Sequence, residues 1–303
     1  MRTDPGVDWA PALEWAQRTL GEIGGVRRLS GGWTSTMLAI TADGHEPAVL
    51  RLMTNEPWRT HGEPLTITTR ESEIQRMLAA MGVPAPRSLA LDATGEHCGH
   101  PAHLMTLLPG AIEPQRVDDA SLARLAELLA DIHAVTPTID VRSYQSWAWE
   151  AKFVVPEWAS DAGLWEDAFA LLRDEPPAYD PCFIHRDFQP RNVLWDRGEI
   201  TGVVDWVETS IGPAWFDVAH CATNLALAHG GEVADRFADA YVTTTGRAPQ
   251  PYFDVMDVVG FLPPPGRASF ITDPAELARL EERLAVMSSQ VVQPGDGGCL
   301  PDR

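Results

Sequence analysis

The chain has 303 residues, 45% of them hydrophobic and 22% charged, the balance of a globular protein with one or two domains. Its formal net charge of −20 argues against nucleic acid or an anionic membrane surface as partner. No stretch reaches the roughly 18 to 20 apolar residues that span a bilayer. The opening MRTDPGVDWAPALEWAQRTL carries acids early and lacks an apolar core of signal-peptide length, so a cytoplasmic location is the expectation. Cys98, Cys182, Cys221 and Cys299 are scattered without a C-x-x-C pair and read as ordinary thiols.

In chain order, a helix is expected over Trp9 to Leu20, stopped by Gly21. Three short strands follow, at Val26–Leu29, Thr36–Ile40 and Ala48–Leu52. Their connections, SGGWTS and ADGHE, are rich in turn formers and predict an antiparallel meander. Ile74, Met77, Leu78 and Met81 recur at helical spacing, giving a helix over Thr68–Met81 with Glu71 near its start. Strands at Ser88–Leu91 and Ala102–Leu107 complete five strands and one helix. Pro109-Gly110 then breaks the chain as a candidate hinge.

Beyond that break the pattern turns helical. Leu122, Leu125, Leu129 and Ile132 form an apolar stripe behind a cap at Asp118, Asp119 or Ser121. Irregular Trp- and Pro-containing sequence occupies 137–181. Short strands near Cys182–Ile184, Val193–Trp195 and Ile200–Val204 follow. Three helices, at Phe216–Ala228, Glu232–Thr244 and Pro274–Ser289, finish the chain before a Gly/Pro-rich tail expected to be disordered. The reading is α+β and bilobal. A small lobe over 1–108 carries a five-stranded antiparallel sheet, a larger mostly helical lobe spans 109–289, and the tail runs over 290–303.

The chemistry concentrates in FIHRDFQPRNVLWDRGEITGVVDWVE. His185, Arg186, Asp187 and Asn192 have the H-R-D-x-x-x-x-N spacing of enzymes that transfer a phosphoryl group. Such transfer needs a carboxylate for the acceptor hydroxyl, hard oxygen ligands for Mg²⁺, a cation on the nucleotide phosphates and backbone amides over them. Asp187 lies in a loop between two strands, where a fixed carboxylate could meet a hydroxyl. A hairpin turning at Asp196-Arg197-Gly198 would bring Asn192 and Asp205 together as metal ligands. His185 reads as a prop for the loop. Asp217 reads as structural, either supporting the loop by hydrogen bonds or capping its helix.

In the first lobe, Ser30, Gly31, Gly32 and Ser35 belong to a strand connection whose amides could cover phosphates. Arg51 on the third strand would pair with Glu71 and face the phosphates, against the plainer reading of a solvent-facing strand residue. Lys152 is the only lysine, so a phosphate-anchoring cation elsewhere must be arginine. Leu107, before Pro109, is placed beside an adenine ring.

These residues resemble the aminoglycoside phosphotransferase family, small-molecule kinases with the protein-kinase fold. The resemblance runs from Val26 to Thr244. It is carried by HRDFQPRNVLW, ITGVVDW and GPAWFDVAH, with RESEIQRMLAAMGVPAPRSL and LARLAELLADIHAV in support. It implies Asp187 as catalytic base, Asn192 and Asp205 as Mg²⁺ ligands, and Arg51 with Glu71 as the phosphate-anchoring pair. Three positions depart from the pattern. Arg186 stands where many relatives have Gly, and Arg51 where the best-known members have Lys, which leaves ATP and GTP both open as donor. Gln189 replaces the lysine of the serine/threonine-kinase loop.

Only about ten residues separate Asp205 from the next helix, and no A-P-E follows, so a phosphorylatable activation loop has no room. The expected activity is transfer of the ATP γ-phosphate to a hydroxyl of a small molecule, with an aminoglycoside or related antibiotic as the candidate and a cationic acceptor as one its acidic residues would suit. The alternatives are a metabolic kinase for an amino alcohol, sugar or homoserine-like compound, and a nucleotide-binding pseudokinase.

Overall fold

The computed structural model describes residues 7–30, 35–54 and 63–291. Two compact units emerge. The first comprises Met1–Glu113, Pro137–Asp140 and Asn192–Thr209; the second comprises Pro114–Thr136, Val141–Arg191 and Ser210–Arg303. The expected lobes met at a single cut after residue 108. Here residues 192–209 join the first unit, because the strand pairings and backbone bonds described below tie them to it.

The first unit opens with α1 (Ala10–Leu20), ended by Gly21 at φ 74. Strands β1 (Ile23–Arg28), β2 (Thr36–Ala42) and β3 (Ala48–Leu52) form the expected antiparallel meander. After α2 (Glu63–Leu78), β4 (Ser88–Asp92) and β5 (Ala102–Thr106) complete a five-stranded sheet in the order β1-β2-β3-β5-β4. Helix α2 begins five residues earlier than the apolar spacing predicts, so Glu71 lies in its middle and not near its start. Alternation along the strands divides the sheet into two faces. Leu38, Ile40, Leu50, Leu52 and Leu104 form one core with Ala12, Trp15, Ala16 and Leu20 of α1. Arg51 and His103, directly paired across β3 and β5, belong to the opposite face.

A small second sheet completes this unit. Strand β6 (Ala111–Ile112), absent from the sequence reading, pairs with β8 (Val193–Asp196), which pairs with β9 (Glu199–Val203). The β8–β9 connection is the expected hairpin, with Arg197 at φ 49 and Gly198 at φ 87 as a two-residue turn. Val203 N donates to Pro84 O at 2.7 Å, and Thr201 Oγ1 donates to Pro109 O at 2.7 Å.

In the second unit, α3 (Asp119–His133) is capped by Asp118, whose carboxylate accepts from Ser121 N. Helix α4 (Ala162–Arg173) lies inside the segment read as irregular and is started by Asp161. Strand β7 (Pro181–Ile184) pairs antiparallel with β10 (Ser210–Pro213), which leads directly into α5 (Ala214–His229). Helices α6 (Gly231–Thr245), α7 (Pro251–Gly260) and α8 (Pro274–Gln290) follow. Four helices, not three, thus close the described chain. The missed one, α7, is buried from Tyr252 through Gly260, and a short, mostly apolar run of ten residues is not assigned by periodicity alone. Residues 292–303 of the expected tail, Cys299 included, lie outside the described residues. No helix among the described residues is long and apolar enough to cross a membrane.

Gly110 shows how closely the Pro-Gly break is packed. At φ 97, an added Cβ would lie 2.5 Å from Trp195 O and 2.6 Å from Thr201 Oγ1. Gly110→Ala therefore combines a disfavoured backbone with a clash against a strand carbonyl. We expect it to destabilise the protein by about 2–3 kcal/mol in urea unfolding, more than a surface substitution would.

Candidate active site

The charged half of the first unit is built on the α2 face of its sheet. Arg51 is 6% exposed, which excludes a solvent-facing role. Its Nη1 donates to Glu71 Oε1 and to Asp205 Oδ1, each at 3.0 Å, and its Nε donates to Ser35 Oγ at 3.2 Å. The second Glu71 oxygen meets His103 Nδ1 at 3.1 Å. His103 Nε2 lies 3.0 Å from Ser88 Oγ, which lies 2.8 Å from Ser72 Oγ. Burial alone would raise the Glu71 carboxyl, but Arg51 and His103 outweigh it and hold it at about 2. The same arrangement raises Arg51: burial opposes its charge, and Asp205 and Glu71 overcome that opposition.

Asp205 follows β9 in a left-handed conformation, φ 69 and ψ 58, with its carboxylate about one-third exposed. Asn192 O accepts from Val204 N at 2.9 Å, so the hairpin sets Asn192 beside the approach to Asp205. An amide oxygen and a carboxylate are hard donors. Two such ligands suit Mg²⁺, which commonly completes its shell with water and substrate phosphates. Among the described residues no group of three or more His, Cys, Asp or Glu side chains could hold a metal by itself. Ser35 is buried beside Arg51, Ser30 is exposed, and Leu107 is half-buried with its amide donating to Pro47 O at 2.8 Å. Gly31 and Gly32 lie outside the described residues.

Asp187 belongs to the second unit, in the loop after β7. Its Oδ1 accepts from Gln189 Nε2 at 2.8 Å and from His220 Nε2 at 2.9 Å. Burial favours the neutral acid, yet His220, His185 and Gln189 more than offset that and lower its pKa. His185 acts as the expected prop, its Nδ1 accepting from Asp187 N at 3.2 Å.

Asp217, on the first turn of α5, braces the loop. Its Oδ2 accepts from His185 N at 2.7 Å and its Oδ1 from Arg186 N at 2.6 Å. His133 Nε2 also donates to it at 3.2 Å, while Tyr241 OH lies 2.6 Å from His133 Nδ1. Of the two structural roles open to Asp217, support of the loop is the one with bonds. Lys152 is buried and donates to Gly260 O at 2.6 Å, so the only lysine is committed within the second unit.

Sequence reasoning did not single out His220, which binds both Asp187 and Asp257. The available signal was spacing. His220 stands three residues after Asp217 on α5, so the two share a helix face.

Known proteins resemble this chain in sequence and in fold. The model of the phosphotransferase enzyme family matches residues 25–252. Mouse acyl-CoA dehydrogenase family member 10 is 26% identical over 200 residues, 58% of this chain and 18% of that protein. Homoserine kinase of Methylocella silvestris is 29% identical over 167 residues, 51% of this chain and 52% of that enzyme. The chain thus spans about half or less of these relatives. A thermostable mutant of aminoglycoside phosphotransferase APH(4)-Ia, solved in ternary complex with ADP and hygromycin B, superposes with TM-score 0.64. It has 16% identity, covering 92% of this chain and 99% of that one. The fold is the α+β protein-kinase-like fold. The chain belongs to the phosphotransferase enzyme family.

Two outcomes follow from the buried carboxylates. Glu71 has a lowered folded pKa, so its stabilisation is complete above the ordinary Glu range and is lost as pH falls through about 2. Glu71→Gln should cost about 3 kcal/mol near neutrality, a gap that narrows as unfolding is measured below about pH 4.5. Asp217→Asn sets an amide NH₂ against a donor of the loop. It should cost about 2–4 kcal/mol in unfolding free energy and increase hydrogen exchange at His185 and Arg186.

Proposed function

We propose that the chain is an ATP- and Mg²⁺-dependent kinase that phosphorylates a hydroxyl of a small, amine-bearing molecule. The observation that carries this reading is the brevity of the segment after Asp205. A single turn at Trp206–Glu208 and the strand β10 lead straight into α5 at Ala214. Among the described residues, the stretch between Asp205 and α5 is too short for an activation segment of the kind that docks a peptide acceptor. Two curated relatives, from Methylocella silvestris and Chelativorans sp. strain BNC1, are homoserine kinases. The solved relative described above holds hygromycin B, so amine-bearing alcohols are the class to test first.

In this reading Asp187 orients the acceptor hydroxyl and accepts its proton as the oxygen attacks the γ-phosphorus. The bond from that phosphorus to the bridging oxygen breaks, ADP leaves, and the proton passes from Asp187 to solvent. Arg51, fixed by Glu71, directs positive charge to the phosphates, with Ser35 and Ser30 beside them. Leu107 borders the adenine. Asn192 and Asp205 would hold Mg²⁺, which neutralises phosphate charge. Lysine's replacement by Arg51 keeps the cation but changes its shape, so ATP and GTP both belong in the test.

The test is transfer of radiolabelled γ-phosphate from ATP or GTP to homoserine, other amino alcohols, sugars and hygromycin B. We expect Mg²⁺-dependent transfer to at least one acceptor and a fall of about 10²- to 10⁴-fold in kcat for Asp187→Asn. Nucleotide binding without transfer to any acceptor, or an Asp187→Asn variant with unchanged turnover, would overturn the reading.

A further inference from the structure

His220 stands between two carboxylates. Its Nε2 lies 2.9 Å from Asp187 Oδ1 and its Nδ1 lies 2.9 Å from Asp257 Oδ1, and the side chain is 5% exposed. An ionised carboxylate only accepts hydrogen bonds, so both ring nitrogens must carry protons for both contacts to form. The ring is held by more than these bonds. Phe261 stacks on it at 5.6 Å with planes 26° apart, and Trp147 meets it edge-on at 5.2 Å. The face of an aromatic ring favours a cation over a neutral imidazole.

We propose that His220, kept as an imidazolium by Asp257, is a positioning residue that holds the Asp187 carboxylate ionised and in one orientation toward the acceptor hydroxyl. The proposal rests on Asp187 being the base. It assigns to α5 and α7 a role in the reaction, exerted through the His220–Asp187 contact. His220 keeps its proton throughout, and the hydroxyl proton goes to Asp187.

His185 and Arg186 precede Asp187 on the loop, Lys152 approaches Asp257 from the 3₁₀ turn Glu150–Lys152, and the Cys221 thiol, kept neutral by burial, and the neutral Asn224 lie on α5 itself. Asp257 is 2% exposed, and its Oδ2 has no hydrogen-bond partner among the described residues. A buried carboxylate in that state is costly unless a strong cation shares it. The two carboxylates together outweigh burial and push the His220 ring up to about 9.

Nuclear magnetic resonance tests this in the free protein, without an acceptor. In wild type the His220 ring nitrogens should give the signals of a doubly protonated ring up to about pH 8. The Asp187 carboxyl carbon, assigned by its loss in Asp187→Asn, should titrate at least about one pH unit higher in His220→Gln, where the charge is gone. With the acceptor that accepts label best, His220→Gln should lower kcat about tenfold or more and leave KM for MgATP within about twofold. A neutral His220 ring at pH 7 in wild type would overturn the proposal, even if the variant fails to fold. An Asp187 titration that does not move in His220→Gln would overturn it too, while loss of turnover in Asp187→Asn would leave the base assignment standing. Unchanged turnover in Asp187→Asn would instead remove the base assignment itself.

Discussion

The carboxylate of Asp217, sealed from water, takes the amides of two successive loop residues, His185 and Arg186. Much of the second unit is arranged to permit that contact. A buried carboxylate is tolerated only when its lone pairs are met by donors, and backbone amides are the donors least free to move away. Two consecutive amides can aim at one acceptor only if the chain turns sharply between them, and Arg186 turns it at φ 76. Tyr241 and His133 complete the shell from α6 and α3, so three helices converge on one loop. Asp187 is thereby set by a network in which nearly every member is buried. A loop placed this way can present a reactive carboxylate without relying on its own sequence for rigidity.

The first unit solves a similar problem with side chains. Alternation along β3 and β5 puts Arg51 and His103 on one face as direct cross-strand partners, and Glu71 from α2 answers both. Glu71 divides its two oxygens between them, and Arg51 divides its guanidinium between Glu71 and Asp205. A planar cation with several fixed donors can serve three partners at once, Ser35 included, where an ammonium on a flexible stem would serve fewer with less directional control. The arginine at this position is therefore consistent with a fixed phosphate anchor.

What could be read from sequence follows from which signals are local. The meander, the stripe of α3 and the Asn192–Asp205 spacing were legible because each depends on periodicity or turn chemistry within a few residues. Strands β6 and β10 were not, since two to four residues carry no period and are strands only because a distant segment pairs with them. Helix α4 takes no clear bounds from its Trp- and Pro-containing surroundings, although Asp161 supplies a start signal. Helix α7 is a short, mostly apolar run, which periodicity alone does not assign. That omission had a cost at the site, because α7 carries Asp257. Without Asp257 in place, nothing local in the sequence sets His220 apart from other helical histidines.

Arg186 shows why a local match can mislead about the acceptor. Its left-handed backbone costs an ordinary residue about 1–2 kcal/mol, and glycine would avoid that cost. The arginine is retained by packing. Its guanidinium carbon lies 3.7 Å from the centre of the Trp147 ring and 3.8 Å from that of Phe216. A desolvated cation facing one ring can contribute about 2 kcal/mol, so two rings suffice to offset the backbone. Both rings belong to the same unit as the loop, Trp147 ahead of β7 and Phe216 on α5 beside Asp217. The H-R-D sequence here thus marks a cation locked between aromatic rings to stiffen the loop. It implies nothing about a peptide acceptor, and the same Trp147 that holds Arg186 also edges the ring of His220.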